Sequence, residues 1–332
     1  MQILDLFVMT QDQRRILSGI LKDLQKAATE DDSPNNYIIQ SGTGEGKTTL
    51  LRLIVQSIQG DENLSSYYHV IELPTIFYGG GISDTIEHRL NSLDISVQHK
   101  HLLLFIDDIY LSLERSERDC NRLRSYLLNE NYRISFIAAG SVQLKHTTGY
   151  NEPLFGSASI RKLKTLDDSD AEEFLQNLIQ VDYRDIPIVR KIEEVCPFWV
   201  YNLTGNNPRR LKALSLLLNL TDSDSTVEYL LFEYFSLISV FIRTEYLNLP
   251  ENNRLLAETA IYYPNTFRLR DLDLSLGNPS REAKGLCDKG ILEKIEPGIY
   301  RFNSIVLKTW LRYAKKLPVH FVLSPDSMVR IF

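Results

Sequence analysis

The sequence contains little cysteine and no long apolar segment. Its three cysteines, Cys120, Cys196 and Cys287, are odd in number, lie far apart and form no Cys-x-x-Cys pair. They provide no disulfide framework, which is typical of a protein from a reducing compartment. No apolar run approaches the roughly 18 residues that a membrane span needs, and Met1–Thr10 has neither a basic start nor a small-residue cleavage site. We therefore expect a soluble, cytoplasmic protein with no membrane partner.

A strong excess of charge of either sign is also absent. The chain has 37 Lys and Arg against 43 Asp and Glu, a net charge of −6, so no overall charge draws it to nucleic acid or anionic lipid. Only the segment from Leu247 onward is mildly basic, which hints at a module facing nucleic acid. Hydrophobic residues make up 43% and charged residues 24% of the 332 residues, which excludes a largely disordered chain and predicts two or three domains.

Short apolar segments alternate with amphipathic ones in the first half of the chain. The apolar segments predict the strands Tyr37–Gln40, Tyr68–Leu73, Leu102–Ile109, Ile134–Gly140 and Ile160–Leu166. Helical spacing covers residues 11–29, 47–59, 83–94, 112–129 and, weakly, 142–147. From Ser169 to about Tyr246 the pattern is wholly helical, with segments near 169–180, 185–195, 207–219 and 225–246. Buried strands alternating with helices predict an α/β fold with a five-stranded parallel sheet covered on both faces.

The strongest motif follows the first predicted strand and opens a helix. It comprises Ser41, Gly42, Thr43, Gly44, Glu45, Gly46, Lys47, Thr48 and Thr49. The glycines let backbone N–H groups turn inward around an anion, and the helix adds its positive N-terminus. Lys47 can reach the β- and γ-phosphates of a nucleotide, and Thr48 offers its hydroxyl to Mg²⁺. The usual Gly-x-x-x-x-Gly-Lys-[Ser/Thr] pattern begins with Gly, whereas this one begins with Ser41.

A second motif would allow a bound nucleotide to be hydrolysed. The buried run His101–Ile106 is followed by Asp107 and Asp108. An aspartate at the tip of such a strand faces the phosphate loop, so Asp107 is the predicted ligand of hydrated Mg²⁺. Asp108 could then orient or deprotonate the attacking water, as phosphoryl transfer requires. The predicted cofactors are ATP and Mg²⁺.

Several local patterns resemble one branch of the AAA+-like P-loop ATPases, which joins origin-recognition-type proteins to the archaeal-type STAND ATPases. One pattern is the paired aspartates Asp107 and Asp108. The others are Glu152–Ser157 leading into the last core strand, Thr204–Leu211 with its Gly-Asn-Asn-Pro-Arg sequence, and Tyr300–Arg312. The resemblance spans roughly residues 7–315. It implies a P-loop NTPase three-layer sandwich, then an α-helical lid and a winged helix-turn-helix domain.

The resemblance also implies domain bounds and roles for individual residues. The expected domains are the ATPase core 1–167, the lid 168–246, the winged helix 247–318 and a tail 319–332. Arg209, at the start of a lid helix, corresponds to the family's sensor-2 arginine, which can reach the γ-phosphate, and Arg210 is the fallback. Ser141 occupies the place of the polar sensor-1 residue, although a simple turn serine fits the sequence equally well. Phe7 and Val8 are expected to line the adenine pocket.

One departure from the family pattern bears on the expected rate of hydrolysis. The family's arginine after its Pro-Leu-Tyr-Gly segment is Ser157 here, and Arg161 is the nearest replacement. A supplied arginine accelerates phosphoryl transfer by the order of 10³–10⁵. We therefore expect ATP hydrolysis that is slow or dependent on a partner.

The C-terminal segment reads as a winged helix. Its predicted elements are a helix 252–261, an ordered connection 267–272, a helix 280–289 capped by Gly290, a hairpin of 291–295 and 299–302, and a helix 304–313. In a DNA complex Arg281 and Lys284 would meet the major groove, with Lys294 and Arg301 near phosphates. Glu282 interrupts the basic face, so a protein-contact role stays open.

Three functions remain open from the sequence. The first is an ATP-dependent switch that forms homo-oligomers or binds a partner protein. The second is a transposon- or origin-type regulator that assembles on duplex DNA, and the third is a non-catalytic ATP-binding scaffold of a defence or signalling complex. His99 and His101 are interpreted as solvated or packed rather than metal-binding. Trp199, Tyr201 and the aromatics of 225–246 are interpreted as core rather than as a base-stacking surface.

Overall fold

The computed structural model divides the chain into two compact units, Met1–Thr165 and Leu166–Phe332. The described residues are 9–73, 81–93, 99–109, 117–128, 133–140, 156–179, 181–195, 199–221, 226–263, 266–272, 277–289, 291–317, 319–324 and 327–331. Within these ranges no helix combines the length and the apolar character that crossing a membrane requires.

A parallel sheet forms the centre of the first unit. Its described strands are β1 Tyr37–Gln40, β2 Tyr68–Leu73, β3 His101–Ile106, β4 Ile134–Gly140 and β5 Ser159–Lys162. They lie in the order β2-β3-β4-β1-β5, and every neighbouring pair is parallel. β1 lies between β4 and β5, so an interior strand of the sheet leads directly into the glycine-rich loop.

Helices cover both faces of this sheet. They are α1 Gln11–Glu30, α2 Lys47–Gly60, α3 Glu62–Tyr67, α4 Ile82–Asn91 and α5 Glu117–Leu127. Alternate residues of a strand point to opposite faces, so Leu103 packs with the core against α1 and α2. Leu104 belongs to the core against α4 and α5. All residues of β1, β3 and β4 are buried, as expected for central parallel strands. The predicted three-layer α/β sandwich is confirmed.

Some element bounds differ from the sequence-based prediction. β3 ends at Ile106 rather than Ile109, because Asp107 and Asp108 form a turn in which Asp108 has a φ of 53°. β5 is shorter than predicted, and α3 was not predicted. The weak helix at 142–147 and most of the Glu152–Ser157 segment lie outside the described residues.

The second unit begins with helices. They are α6 Asp168–Leu178, a 3₁₀ turn Tyr183–Asp185, α7 Pro187–Val195, α8 Trp199–Thr204, α9 Pro208–Leu220 and α10 Val227–Leu247. The short helix α8 was not predicted. The interpretation of the aromatics as core holds for Trp199, Tyr234 and Phe235, which are buried. It is wrong for Tyr201 of α8 and for Tyr229, Phe232 and Phe241 of α10, whose side chains are 38%, 54%, 55% and 40% exposed.

A winged helix follows in the same unit. Its elements are α11 Glu251–Ala260, β6 Thr266–Arg268, a 3₁₀ turn Leu269–Asp271, α12 Pro279–Asp288, β7 Leu292–Glu296, β8 Ile299–Phe302 and α13 Ile305–Ala314. The strands form an antiparallel sheet in the order β6-β8-β7. The predicted winged helix is confirmed, with the predicted connection 267–272 resolved into a strand and a 3₁₀ turn. Gly290, the predicted cap, lies outside the described residues.

The winged helix packs directly on α10. The Trp310 indole N–H donates a 3.2 Å hydrogen bond to Ser239 Oγ, and the Phe235 and Tyr313 rings stack with centroids 5.0 Å apart. Within the winged helix itself, Lys315 Nζ lies 2.6 Å from Glu258 Oε2 of α11. Aromatic contacts of this kind stabilise a packed interface beyond the area that they bury. After the winged helix, β9 Val319–Ser324 and β10 Ser327–Ile331 form an antiparallel pair.

Candidate nucleotide-binding site

The loop between β1 and α2 is built around glycines in the left-handed region. Gly44 has a φ of 83° and Gly46 a φ of 92°, conformations that side chains with a Cβ rarely adopt. Ser41 N–H donates to the Gly140 carbonyl at 3.3 Å, which ties the start of the loop to the end of β4. The loop therefore starts from a fixed point at the carboxyl edge of the sheet.

Lys47 is buried and points back into this loop. Its ammonium donates hydrogen bonds to the Ser41 carbonyl at 3.0 Å and the Gly42 carbonyl at 2.7 Å. Lys47 is also the first residue of α2, so the positive charge and the helix N-terminus lie together. Both features favour a bound anion.

The other loop residues differ in exposure. Gly42, Thr43 and Thr48 are exposed, Glu45 is buried, and Thr49 is half-buried. The loop is therefore buried at Glu45 and Lys47 and exposed to solvent at Thr43 and Thr48.

Gln13 of α1 contacts the last glycine of the loop, a feature that we did not predict. The Gln13 side chain accepts a hydrogen bond from Thr10 N–H at 3.0 Å, and its amide donates to the Gly46 carbonyl at 3.4 Å. Thr10 Oγ1 accepts from Gln13 N–H, which completes a capping box. A Cβ on Gly46 would collide with the Gln13 amide. The Thr-x-x-Gln spacing before α1 was the signal that could have revealed this contact.

Thr48 and Asp107 meet across the carboxyl edge of the sheet. Thr48 Oγ1 donates a 2.8 Å hydrogen bond to Asp107 Oδ2. The other carboxylate oxygen, Asp107 Oδ1, accepts from Asp108 N–H at 3.1 Å. The two predicted metal ligands therefore lie side by side, one on α2 and one directly after β3.

Asp108 lies partly buried beside this pair. Burial raises the pKa of the Asp108 carboxyl, the neighbouring Asp107 carboxylate raises it further, and Lys47 lowers it. An aspartate with a raised pKa accepts a proton more readily than an ordinary one. This arrangement suits proton transfer close to the phosphate loop.

The donor set fits Mg²⁺. One carboxylate and one hydroxyl from the protein, with the rest of the shell from phosphate and water, is the usual way in which proteins bind this ion. Among the described residues there is no group of three or more His, Cys, Asp or Glu side chains that could hold a metal by itself. Asp107 and Thr48 can therefore hold Mg²⁺ together with a nucleotide, but not as an all-protein cage.

A cavity of about 290 Å³ adjoins the Thr48–Asp107 pair. Its lining includes Arg52 of α2, Glu72 of β2 and Arg89 of α4, none of which we had predicted. Arg52 follows Thr48 by four residues, so the two share one face of α2, and this spacing could have revealed it. The cavity brings basic side chains close to the candidate metal position.

Other predicted residues of the first unit are not all brought to the site. Phe7, Val8 and Ser141 lie outside the described residues. Arg161 stacks over the Tyr37 ring, with the guanidinium carbon 5.3 Å from the ring centroid. Ser157 accepts a hydrogen bond at its backbone carbonyl from the Asn36 amide at 2.9 Å. Arg161 thus contacts an aromatic residue at the start of β1, whereas the loop follows the end of β1.

His101 is packed inside the first unit. It is 1% exposed, and its Nε2 lies 3.0 Å from Ser135 Oγ. Burial, together with the smaller effect of the Arg133 charge, lowers the pKa of His101 to about 4. This agrees with the interpretation of His101 as a packed histidine.

Arg209 and Arg210 begin α9 in the second unit and have different partners. Asn207 caps the helix by accepting hydrogen bonds from both backbone N–H groups. Arg210 donates to Glu245 Oε2 at 3.0 Å and to the Thr204 carbonyl at 3.5 Å. Arg209 is exposed, and its guanidinium carbon lies 4.7 Å from the Phe241 ring centroid.

The four predicted DNA-contacting residues are exposed on the winged helix. Arg281 and Lys284 are three residues apart on α12 and share a face. On the wing, Arg301 pairs across the strands with Glu293 and Lys294 pairs with Tyr300, so Arg301 and Lys294 lie on opposite faces. Arg301 also donates to Glu293 Oε2 at 2.6 Å.

The strand order and the glycine loop define the fold of the first unit. The chain has the fold of the AAA+-like P-loop ATPases, followed by a winged helix.

Comparison with one solved structure agrees with this assignment of the fold. The Aeropyrum pernix ORC2 protein, solved as ADPNP–ADP complexes, is similar with a TM-score of 0.60 and 14% identity, covering 92% of this chain and 94% of that chain. The Thermotoga maritima RuvB Holliday junction branch migration motor has a TM-score of 0.48 and 18% identity, with 95% and 97% covered. The Aeropyrum pernix ORC1 protein in complex with DNA has a TM-score of 0.48 and 13% identity, with 93% and 95% covered.

Sequence comparison adds one partial match. A family model described as "Transcriptional regulator, AbiEi antitoxin" matches residues 253–303, which run from α11 to the end of β8. No curated protein matches the chain. The sequence match is therefore confined to the winged helix.

Proposed function

We propose that this protein is an ATP-binding switch of the AAA+ type that hydrolyses ATP slowly and forms homo-oligomers or binds a partner protein. The observation that carries the proposal is the 2.8 Å hydrogen bond from Thr48 to Asp107 next to the buried Lys47. A cation suited to phosphate thereby lies near two oxygen groups suited to Mg²⁺, all at one edge of one sheet. The AAA+ fold supports the same proposal.

The phosphate loop would bind the triphosphate through its backbone and Lys47. The Lys47 ammonium donates hydrogen bonds to two carbonyl groups of the loop, and these bonds hold it within the loop. Loop N–H groups and the α2 N-terminus add further donors for phosphate oxygens. Gln13 would steady the loop from outside by its bond to Gly46.

Thr48 and Asp107 would hold Mg²⁺ next to the phosphates. Mg²⁺, when bound, neutralises charge on the β- and γ-phosphates during transfer. The hydrogen bond between Thr48 and Asp107 holds the Thr48 hydroxyl next to the Asp107 carboxylate. Asp107 is in turn fixed by the Asp108 backbone N–H.

Asp108 would accept a proton from, or orient, the attacking water. Its raised pKa and its position beside Asp107 favour this role. Arg209, which belongs to the second unit, stays the predicted reporter of the nucleotide state. Because Arg161 is stacked on Tyr37 and Ser157 replaces the expected arginine, we expect slow turnover unless a neighbouring copy or another protein supplies one.

The test is a comparison of ATP binding and hydrolysis in the wild type and Asp108→Asn. We expect Asp108→Asn to bind ATP with near wild-type affinity by calorimetry and to lose about a hundredfold or more in single-turnover hydrolysis, the lower end of the range for acid–base catalysis. Asp288→Asn, an exposed aspartate of α12, serves as control. An unchanged rate in Asp108→Asn removes this residue from the mechanism, and the absence of hydrolysis in the wild type favours a non-catalytic scaffold.

A second function, assembly on duplex DNA, is favoured by Arg281 and Lys284 on the exposed face of α12. A helix of a winged helix that enters the major groove presents such residues to bases and phosphates. We expect ATP-stimulated DNA binding whose affinity falls as salt rises, and a shallower salt dependence for the double variant Arg281→Ala, Lys284→Ala. DNA affinity that is absent at low salt with ATP would leave protein contact as the role of this module.

A further inference from the structure

We propose that two copies of this chain associate through α10, whose outward face carries a stripe of exposed apolar side chains. The stripe consists of Tyr229, Phe232, Val240 and Leu247, which all belong to the second unit. The inference rests on the homo-oligomer of the proposed function and adds to it the surface and the orientation of the two copies. It makes no use of the nucleotide site.

Helix α10 is apolar on two opposite faces. One face packs into the second unit through buried side chains, which are Leu230, Leu231, Tyr234, Phe235, Ile238 and Ile242. The four stripe residues lie on the other face and are between 50% and 68% exposed. Tyr229 and Leu247 are 18 residues apart, which is five helical turns or about 27 Å, so they point in the same direction. A helix at the surface of a domain is usually polar on its outer face, and α10 therefore has apolar surface that the described residues of its own unit leave uncovered.

The stripe is large enough to form the centre of an interface. Four side chains of these sizes and exposures leave roughly 400–500 Å² of apolar surface in contact with water. A stable interface buries about 800 Å² on each partner, and in homodimers about 65% of that area is apolar. The stripe thus provides most of the apolar area that one copy would have to contribute.

The charges beside the stripe favour a second copy in the antiparallel orientation. Glu233 and Arg243 lie next to the stripe, and neither has an ion-pair partner among the described residues. They are ten residues and about 15 Å apart along the helix axis, too far to pair within one copy. Two α10 helices that pack antiparallel about the level of residue 238 bring Glu233 of each copy level with Arg243 of the other. A parallel pair would instead place like charges side by side, and these repel each other.

The same orientation satisfies the symmetry of a homodimer. A two-fold interface uses the same surface on both copies, so each residue must suit the residue that it meets. Tyr229 and Leu247 are equally far from residue 238, so the two apolar ends of the stripe meet each other. Because one acidic and one basic residue flank the stripe, a partner of a single charge sign would match it less well than a second copy.

The test is the molar mass of the nucleotide-free chain, measured by size-exclusion chromatography with light scattering over a range of protein concentrations. We expect a dimer for the wild type. Val240→Lys places a charge near the centre of the stripe and should raise the dissociation constant of the dimer about a hundredfold or more. Val181→Lys is the matched control, because Val181 is a 57% exposed valine of the same unit outside α10, and it should leave the dimer intact.

An exchange of charges tests the orientation. Glu233→Arg and Arg243→Glu should each weaken the dimer about tenfold, because each variant turns two attractive contacts of the pair into repulsive ones. The double variant Glu233→Arg, Arg243→Glu restores opposite charges in an antiparallel pair and should dimerise like the wild type. It would leave like charges together in a parallel pair. These variants also keep the test open if circular dichroism shows that Val240→Lys does not fold.

A wild type that is monomeric at roughly 100 µM overturns the inference. If Val240→Lys then lowers the melting temperature of that monomer, the stripe is covered within its own chain. A dimer that Val240→Lys leaves intact also overturns the inference, and a double charge variant weaker than the wild type overturns the antiparallel pairing. ATP binding by the wild type, measured by calorimetry on the same samples, tests the nucleotide site separately, because neither result depends on the other.

Discussion

Thr48 and Asp107 are 59 positions apart in the chain, and their side chains meet in a 2.8 Å hydrogen bond at the carboxyl edge of the sheet. Thr48 lies in the first turn of α2, and Asp107 follows β3 directly. The bond joins the two motifs that the sequence presents separately, the phosphate loop and the strand with paired aspartates. It is the geometric basis for the proposal that Mg²⁺ and triphosphate bind here.

This relationship predicts a metal-dependent effect of Thr48→Ala. Removing the hydroxyl removes one Mg²⁺ ligand and one hydrogen bond to a charged carboxylate, an interaction of about 1.5–3 kcal/mol. We expect affinity for a non-hydrolysable ATP analogue to fall by roughly 10–100-fold with Mg²⁺ and very little with EDTA. Thr48→Ser, which keeps the hydroxyl, is the control and should bind normally. Equal losses with and without Mg²⁺ would argue against the metal role.

The conformation of Gly46 predicts a loss of both stability and nucleotide binding on substitution. Gly46→Ala forces a side chain into the left-handed region, at a cost of roughly 1–2 kcal/mol, and pushes its Cβ against the Gln13 amide. Thermal unfolding should shift to lower temperature, and ATP affinity should fall as the loop moves. Gly19→Ala is the matched control, because a Cβ there meets no atom within 4 Å and alanine favours a helix by about 0.5–1 kcal/mol. A Gly46→Ala protein as stable as Gly19→Ala would contradict the loop geometry.

The raised pKa of Asp108 predicts how stability depends on pH. Burial and the charge of Asp107 raise its pKa in the folded chain above the unfolded value, so the folded state binds the proton more tightly. Stability contributed by the protonated form is present at acidic pH and is lost as pH rises through the folded pKa. We therefore expect nucleotide-free Asp108→Asn to unfold at a higher temperature than the wild type at pH 7, with the difference shrinking toward pH 4. A difference that grows on acidification would give the opposite sign and refute this interpretation.

The central strands could be predicted from the sequence, whereas the contacts between distant residues could not. Tyr37–Gln40 and Ile134–Gly140 were predicted with their true bounds, because both are short apolar runs that end at glycine-rich or polar residues. Ile106 ends β3 three residues early because Asp108 adopts a positive φ, which apolarity does not reveal. The short helix Trp199–Thr204 depends on the burial of Trp199 rather than on a repeating pattern.

The candidate site, like the fold, could be predicted from the sequence only in its local motifs. The loop and the paired aspartates are recognisable because their residue types and spacing are local. The contact of Gln13 with Gly46 and of Arg209 with Phe241 joins residues 33 and 32 positions apart, so it depends on packing that a linear pattern does not encode. The sequence shows that Arg52 follows Thr48 by four residues, a spacing that places both on one face of a helix. It does not show the cavity that both side chains line.

The most direct measurement of the central claim is ATP binding by Lys47→Ala. Lys47 places its ammonium inside the loop, and its removal leaves the phosphates without that charge. Calorimetry with a non-hydrolysable ATP analogue and Mg²⁺ should show binding in the wild type and in Lys26→Ala, an exposed lysine of α1. It should show a loss of at least a hundredfold in Lys47→Ala, the order expected when a buried charge-assisted contact to phosphate is removed. Near-normal affinity in Lys47→Ala would contradict the assignment of this loop as the nucleotide site.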